Sequence, residues 1–309
     1  MSRSAHVIVR VDLQRIRRNV QEIVARCRVP VLAVIKADAY GVGAARVAPA
    51  IADGVDGFCV FTLDEAADAR IWEKTSKPCI ALGPNLGVSA NDFIAHHVRP
   101  AVWDVERAAA LRSARPLLTV DTGMQRFSCP PEQIEAVIRA GGCDEAFTHA
   151  TSLDQVSLLR HLIANHQMKL HAAGSSLLDH PQAWLDAVRP GLALYRGAIE
   201  VSAPLVEVHQ STGPAGYSRF LAPHHGVILA GYSHGLRPGP CLVNGRRSRL
   251  LEVGMQSAFV ATSDNDRVGD QVVLLGPHLS EQEIAADWKT SPHEVLTRLC
   301  GVGLREYSE

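Results

Sequence analysis

Val29-Pro30-Val31-Leu32-Ala33-Val34-Ile35-Lys36-Ala37-Asp38-Ala39-Tyr40-Gly41-Val42-Gly43 is an apolar run that stops at a lysine and dissolves into glycines. Residues 29–37 do not alternate polar and apolar, as a strand wetted on one face would. A continuous run marks a strand buried on both faces, the habit of parallel sheets. Just upstream, Leu13, Ile16, Val20, Ile23 and Val24 recur at helical spacing over 12–26, with Asp12 as N-cap. The same rhythm repeats outward. Apolar runs follow at 57–62, 78–82, 98–103, 116–120, 146–150, 169–173 and 188–194, making eight candidate strands. Amphipathic stretches lie between them at 63–74, 131–140, 152–165 and 181–187. Eight β/α repeats in about 200 residues predict an α/β chain built on a (β/α)8, TIM-like barrel. Periodicity by itself also admits a doubly wound sheet.

After Gly197 the texture changes. Short strand-like runs at 205–209, 226–230, 242–243, 250–253, 258–261 and 271–275 are separated by Gly, Pro, Asn and Asp. Asn244-Gly245 between apolar and alternating residues predicts a type I′ hairpin. A final amphipathic helix is expected over 291–299. The expected division is a barrel over 1–199 and a mainly β C-terminal domain over 200–309.

The composition narrows the function classes. A formal net charge of −1 over 309 residues leaves no basic footprint for nucleic acid or an anionic membrane. No apolar run is long enough to span a bilayer, and residues 1–12 lack the apolar core of a secretion signal. Seven scattered cysteines form no CxxC pair and no zinc-ligand spacing, so no metal is expected. Free, mostly buried thiols predict a cytoplasmic protein.

Lys36 ends the first apolar run, where a β/α barrel presents its reactive groups. Burial there lowers an amine's pKa, as a lysine that attacks a carbonyl requires. Further along stand Val120-Asp121-Thr122-Gly123-Met124-Gln125-Arg126, Phe147-Thr148-His149-Ala150, Leu170-His171-Ala172-Ala173-Gly174-Ser175-Ser176, Val188-Arg189-Pro190-Gly191-Leu192-Ala193-Leu194-Tyr195 and Ala230-Gly231-Tyr232-Ser233-His234-Gly235. Each has a bland reading alone: a satisfied core histidine, a plain βα turn, a capped strand tyrosine. In this order, with the Lys36 segment, they resemble the alanine racemase family from about residue 8 to the C-terminus.

The resemblance implies pyridoxal 5′-phosphate, bonded by Lys36 and bound by Tyr40, His149, His171, Ser175, Arg189, Gly191 and Leu192. Within that set Tyr40 and Ser175 reach the phosphate, with backbone N–H groups at Gly191 and Leu192. His149 packs on the ring, and His171 supports Arg189, which faces the pyridine nitrogen. Arg126 and Met255 would contact substrate. Lys36 and Tyr232 would be the two bases that racemisation needs, one on each face of the α-carbon. The implied activity is interconversion of L- and D-alanine or a similar small amino acid. The implied assembly is a homodimer with shared active sites, Tyr232 coming from the neighbouring subunit. The alternative on the same scaffold is a divergent or non-catalytic pyridoxal-phosphate protein. Five positions depart from the family pattern: Thr119 replaces a lysine, Gly174 an asparagine, His234 and Gln256 aspartates, and Gly301 a gating tyrosine. Together they predict a pocket that accepts a bulkier or more polar amino acid, such as serine.

Overall fold

The computed structural model describes residues 7–309. The first six residues of the predicted barrel domain, which are also half of the segment read for a secretion signal, lie outside them. Fifteen strands follow in chain order: β1 (Ile8–Asp12), β2 (Leu32–Val34), β3 (Gly57–Val60), β4 (Cys79–Ala81), β5 (Val98–Val102), β6 (Leu117–Thr119), β7 (Glu145–Ala150), β8 (Lys169–Ala173), β9 (Ile199–Gln210), β10 (His224–Ile228), β11 (Gly239–Val243), β12 (Arg246–Val253), β13 (Ala258–Ala261), β14 (Gln271–Leu275) and β15 (Leu304–Ser308). They fall in two compact units. One comprises Ile16–Ala39 and Gly43–Leu194; the other comprises the residues up to Arg15, Tyr40–Val42 and Tyr195–Glu309.

The first unit is a parallel β/α barrel. Its seven strands run β2-β3-β4-β5-β6-β7-β8, each hydrogen-bonded to the next. All of β3 and β6 is buried, which is why these runs show no alternation. The predicted eighth strand over 188–194 is corrected. Only bridges at Val31–Val188 and His171–Ala187 form, and the chain then turns into a 3-10 helix at Leu192–Tyr195. Pro30 and Pro190 have no N–H to give, so a regular ladder cannot run through them. The ring still closes: Leu32 N–H donates to Val188 O, Val34 N–H to Pro190 O, and Arg189 N–H to Ala173 O, at 2.9, 2.8 and 2.7 Å.

The helix expected over 12–26 holds, those over 131–140 and 152–165 shorten to Ile134–Gly141 and Leu153–Leu162, and 181–187 is corrected to one 3-10 turn at Pro181–Ala183. Leu13–Cys27 opens at Asp12, whose Oδ1 accepts the Arg15 N–H at 2.7 Å, and it buries Leu13, Ile16, Val20, Ile23 and Cys27. The helix expected over 63–74 breaks into Leu63–Ala69 and Ile71–Thr75, because Arg70 adopts φ 53°. Thr62 and Ser152 cap the helices that follow them.

The second unit is mainly antiparallel β. Its 12-residue strand β9 pairs with β14 through its first half and with β10 through its second. The pairings β9-β10-β13-β12-β11-β14-β9 therefore close a six-stranded ring, which leaves no open edge within it. β1 adds antiparallel to β9, and β15 adds parallel to β1. The N-terminal strand thus belongs to this sheet, an assignment that Val7–Val11 alone does not suggest. Asn244 and Gly245 both have positive φ, 50° and 79°, in the expected hairpin between β11 and β12. The closing helix is Pro292–Cys300, and a further helix, Glu281–Trp288, precedes it.

Candidate active site

Lys36 stands two residues beyond β2, at the C-terminal mouth of the barrel. The chain leaves it in an unusual way. Ala37, Asp38, Ala39 and Tyr40 all take left-handed φ values of 53–60°. Such a turn costs roughly 1–2 kcal/mol per L-residue and persists only where its surroundings hold it. Here the Glu65 carboxylate accepts the N–H of Ala37 at 3.0 Å and of Phe61 at 2.7 Å. Asp38 in turn accepts the Ala44 N–H at 2.7 Å. The turn after Lys36 is thereby tied to the end of β3 and to the helix that follows it.

A cleft of about 70 Å³ opens around the lysine, lined by Arg126, His149, Arg189, Thr119, Ser128 and Phe147 among others. Burial, and then the nearby Arg126 and Arg189, hold the Lys36 amine below the ordinary lysine range. A larger cavity, about 430 Å³, lies at the opposite mouth of the barrel. The chemistry is assigned to the smaller cleft, because only there do an amine of lowered pKa and two arginines converge at strand C-termini.

Arg189 is buried. One guanidinium N–H donates to Thr148 O, its Nε has no partner, and the group lies 4.7 Å from the Phe147 ring centre. His171 stacks on that same Phe147 ring, with 5.1 Å between ring centres. Burial drives the His171 pKa down to about 4, so the ring is neutral although a carboxylate stands beside it. Ser175 follows β8. Its Oγ accepts the N–H groups of Gly191 and Ala193, each at 3.0 Å. Arg126 is exposed, with Nη2 3.6 Å from Met124 Sδ.

The sequence-predicted residues divide between the units. Lys36, Arg126, His149, His171, Ser175, Arg189, Gly191 and Leu192 lie in the barrel unit. Tyr40 lies in the β unit, packed against Tyr195 at 5.0 Å and His293 at 5.9 Å. Tyr232 and Met255 also lie there and are brought together. The Tyr232 N–H donates to Gly254 O, and the Ser233 N–H and hydroxyl both donate to Met255 O. Gly231 permits this approach: a Cβ there would meet the carbonyl oxygens of Gly254 and Met255 at 2.4 Å. Tyr232 is 56% exposed and Met255 61%, so within their own unit both face outward.

Three residues were not anticipated: Ala193, Ser128 and Glu145. The Ala193 N–H shares the Ser175 hydroxyl with that of Gly191. Ser128 and Thr119 bring buried hydroxyls without partners to the cleft. Glu145 stands 3.0 Å from the His171 ring. Its position two residues before Phe147 on β7 puts it on the inward face, a signal the strand period carries.

These features fit pyridoxal 5′-phosphate. A lysine of lowered pKa, an orphaned buried arginine Nε and a hydroxyl gathering two backbone N–H groups match an aldehyde, a ring nitrogen and an anionic phosphate. The description "Alanine racemase, N-terminal domain" matches residues 11–198, and "Alanine racemase, C-terminal domain" matches residues 206–307. The chain belongs to the alanine racemase family. The alanine racemase of Pectobacterium carotovorum subsp. carotovorum is 30% identical over 354 residues, covering 97% of this chain and 96% of its own. That of Nitrosococcus oceani is 27% identical, with 94% and 96% covered. The biosynthetic alanine racemase from Pseudomonas aeruginosa superposes with a TM-score of 0.87 at 27% identity, covering 98% of this chain and 99% of that one. The alanine racemase from Bartonella henselae, solved with covalently bound pyridoxal phosphate, shares the fold at a TM-score of 0.86 and 23% identity, covering 98% and 100%. Among the described residues of this alanine racemase family member, no helix is long and apolar enough to cross a membrane.

Proposed function

We propose that the protein is a pyridoxal-phosphate-dependent racemase of a small amino acid, alanine or a close relative, working by two bases. The observation that carries this reading is Lys36 at the end of β2, its amine held below the usual range by burial and two arginines. Pyridoxal 5′-phosphate, when bound, supplies an electron-withdrawing ring that acidifies the α-proton of an attached amino acid. Lys36 would hold the cofactor and move the proton at its Nζ on one face. Arg126 would draw the substrate carboxylate into the cleft, and His149 would back the ring. Arg189 would face the ring nitrogen, and Ser175 with the Gly191–Ala193 backbone would hold the phosphate.

Tyr232 would move the proton on the other face. The exposure of Tyr232 and Met255 supports a homodimer in which each copy completes the other's site, the β-rich domain from residue 200 supplying the second base to a barrel ending near 199. Tyr40 would reach the phosphate. Seven free cysteines, all buried, suit a cytoplasmic enzyme.

The test is α-proton exchange in D₂O for a panel of L- and D-amino acids, with Lys36→Ala as control. Exchange with inversion that vanishes in the variant supports the reading and ranks the substrates. Bound cofactor with no exchange from any amino acid would overturn it in favour of a non-catalytic member of the family.

A further inference from the structure

Glu145 begins β7, below the candidate site, where a carboxylate has no evident reason to be buried. Its Oε1 lies 3.0 Å from His171 Nε2, in a close but bent contact. Its Oε2 accepts from Arg99 of β5. Arg99 is occupied on every side, donating also to Asp144 and to Arg115 O, while Arg115 pairs with Asp144. The carboxylate is thus anchored by a fully engaged arginine and presents its second oxygen to His171. Glu145 is 13% exposed at its side chain and His171 is 1% exposed.

For packing alone an apolar pair would serve as well, since a buried ionic group seldom adds net stability. The geometry serves an orientational end. A carboxylate at Nε2 requires the neutral imidazole to carry its proton there, leaving Nδ1 as a bare acceptor. His171 Nδ1 has no partner, and neither has Arg189 Nε, a donor. Both side chains lie against the same Phe147 ring, at 5.1 and 4.7 Å. We infer that Glu145 is a positioning residue: it fixes His171 in the Nε2–H tautomer, which leaves Nδ1 an acceptor beside the Arg189 guanidinium that packs on the same Phe147 ring. Burial pushes the Glu145 carboxyl up, but His171 and Arg99 outweigh it and hold the group down to about 2, so it stays ionised. His171 stays neutral, and Arg189 remains the inner cation. The inference rests on the racemase reading for its kinetic arm only.

The test uses holoenzyme. Ring ¹⁵N NMR, with His171 assigned by its loss in His171→Gln, is expected to show the Nε2–H tautomer in the unaltered protein; an Nδ1–H tautomer would overturn the inference. In Glu145→Gln, whose amide either donates or accepts, that single tautomer is expected to give way to a mixture. The cofactor's visible band should shift, and kcat should fall about tenfold with KM within about twofold. Glu145→Asp should recover most of the loss. A folded Glu145→Gln protein with an unchanged band and kcat overturns the inference. If Glu145→Gln fails to fold, the tautomer of the unaltered protein decides. If the unaltered enzyme turns over no amino acid, the racemase reading fails, while the tautomer and the cofactor band still judge Glu145.

Discussion

Lowering the pH should destabilise the barrel through His171 before any carboxylate titrates. The ring is 1% exposed, and burial holds its pKa at about 4, against about 6.5 in an unfolded chain. For a depressed pKa, the stabilising share is complete above the unfolded value and is lost as pH falls toward the folded one, because only the unfolded chain takes the proton. Between about pH 7 and about pH 5.5 the loss is about 1 kcal/mol, growing to about 3 kcal/mol by about pH 4. With roughly 2 cal/mol/K of unfolding entropy per residue over 309 residues, 1 kcal/mol moves Tm by about 2 °C. The assay is Tm against pH for the unaltered protein and for His171→Gln, which keeps a hydrogen-bonding side chain but does not titrate. The other histidines are common to both proteins and cancel in the difference. The variant should lose about 2 °C less than the unaltered protein over that interval. Identical slopes would refute the argument, since they would mean that the buried ring is protonated in the folded state.

Three further outcomes are expected. Gly231→Ala should lower stability by about 1–3 kcal/mol, because the new methyl meets two backbone carbonyls at 2.4 Å; thermal unfolding measures it, and an unchanged Tm would contradict the packing. Ser175→Ala strips the N–H groups of Gly191 and Ala193 of their acceptor, costing about 1–3 kcal/mol and speeding cofactor loss on dialysis, read from the visible band. Thr119→Val removes a buried hydroxyl without a partner and should raise the Tm of the cofactor-free protein; a fall would show that the hydroxyl has a partner there.

The barrel was legible because its strands are buried on both faces, and an apolar run such as Gly57–Val60 states that outright. The β unit was legible through punctuation, above all Asn244-Gly245. The shortfalls share a cause: a one-dimensional pattern does not carry pairing. Nothing in Ile8–Asp12 says that it joins β9 and β15 rather than the barrel. The run over 188–194 reads as a strand, yet its proline denies it a ladder. Within the site, Lys36, Arg126, His149 and Arg189 were found through motifs, and the cleft gathers them. Glu145 escaped because it acts through a histidine, and Ala193 because the motif pointed to the backbone of its neighbours Gly191 and Leu192.

The left-handed turn at Ala37–Tyr40 has a consequence for chemical synthesis. Its torsions, close to φ 53° and ψ 49° at three successive residues, are those of the ordinary helix reflected in a mirror. For residues of opposite handedness they are the relaxed choice. A semisynthetic protein carrying D-residues in place of Ala37 and Ala39 would enter this turn without the penalty that the ribosomal chain bears. In the segment beside the lysine, the enantiomer of the natural building block is the better fit at several residues in succession.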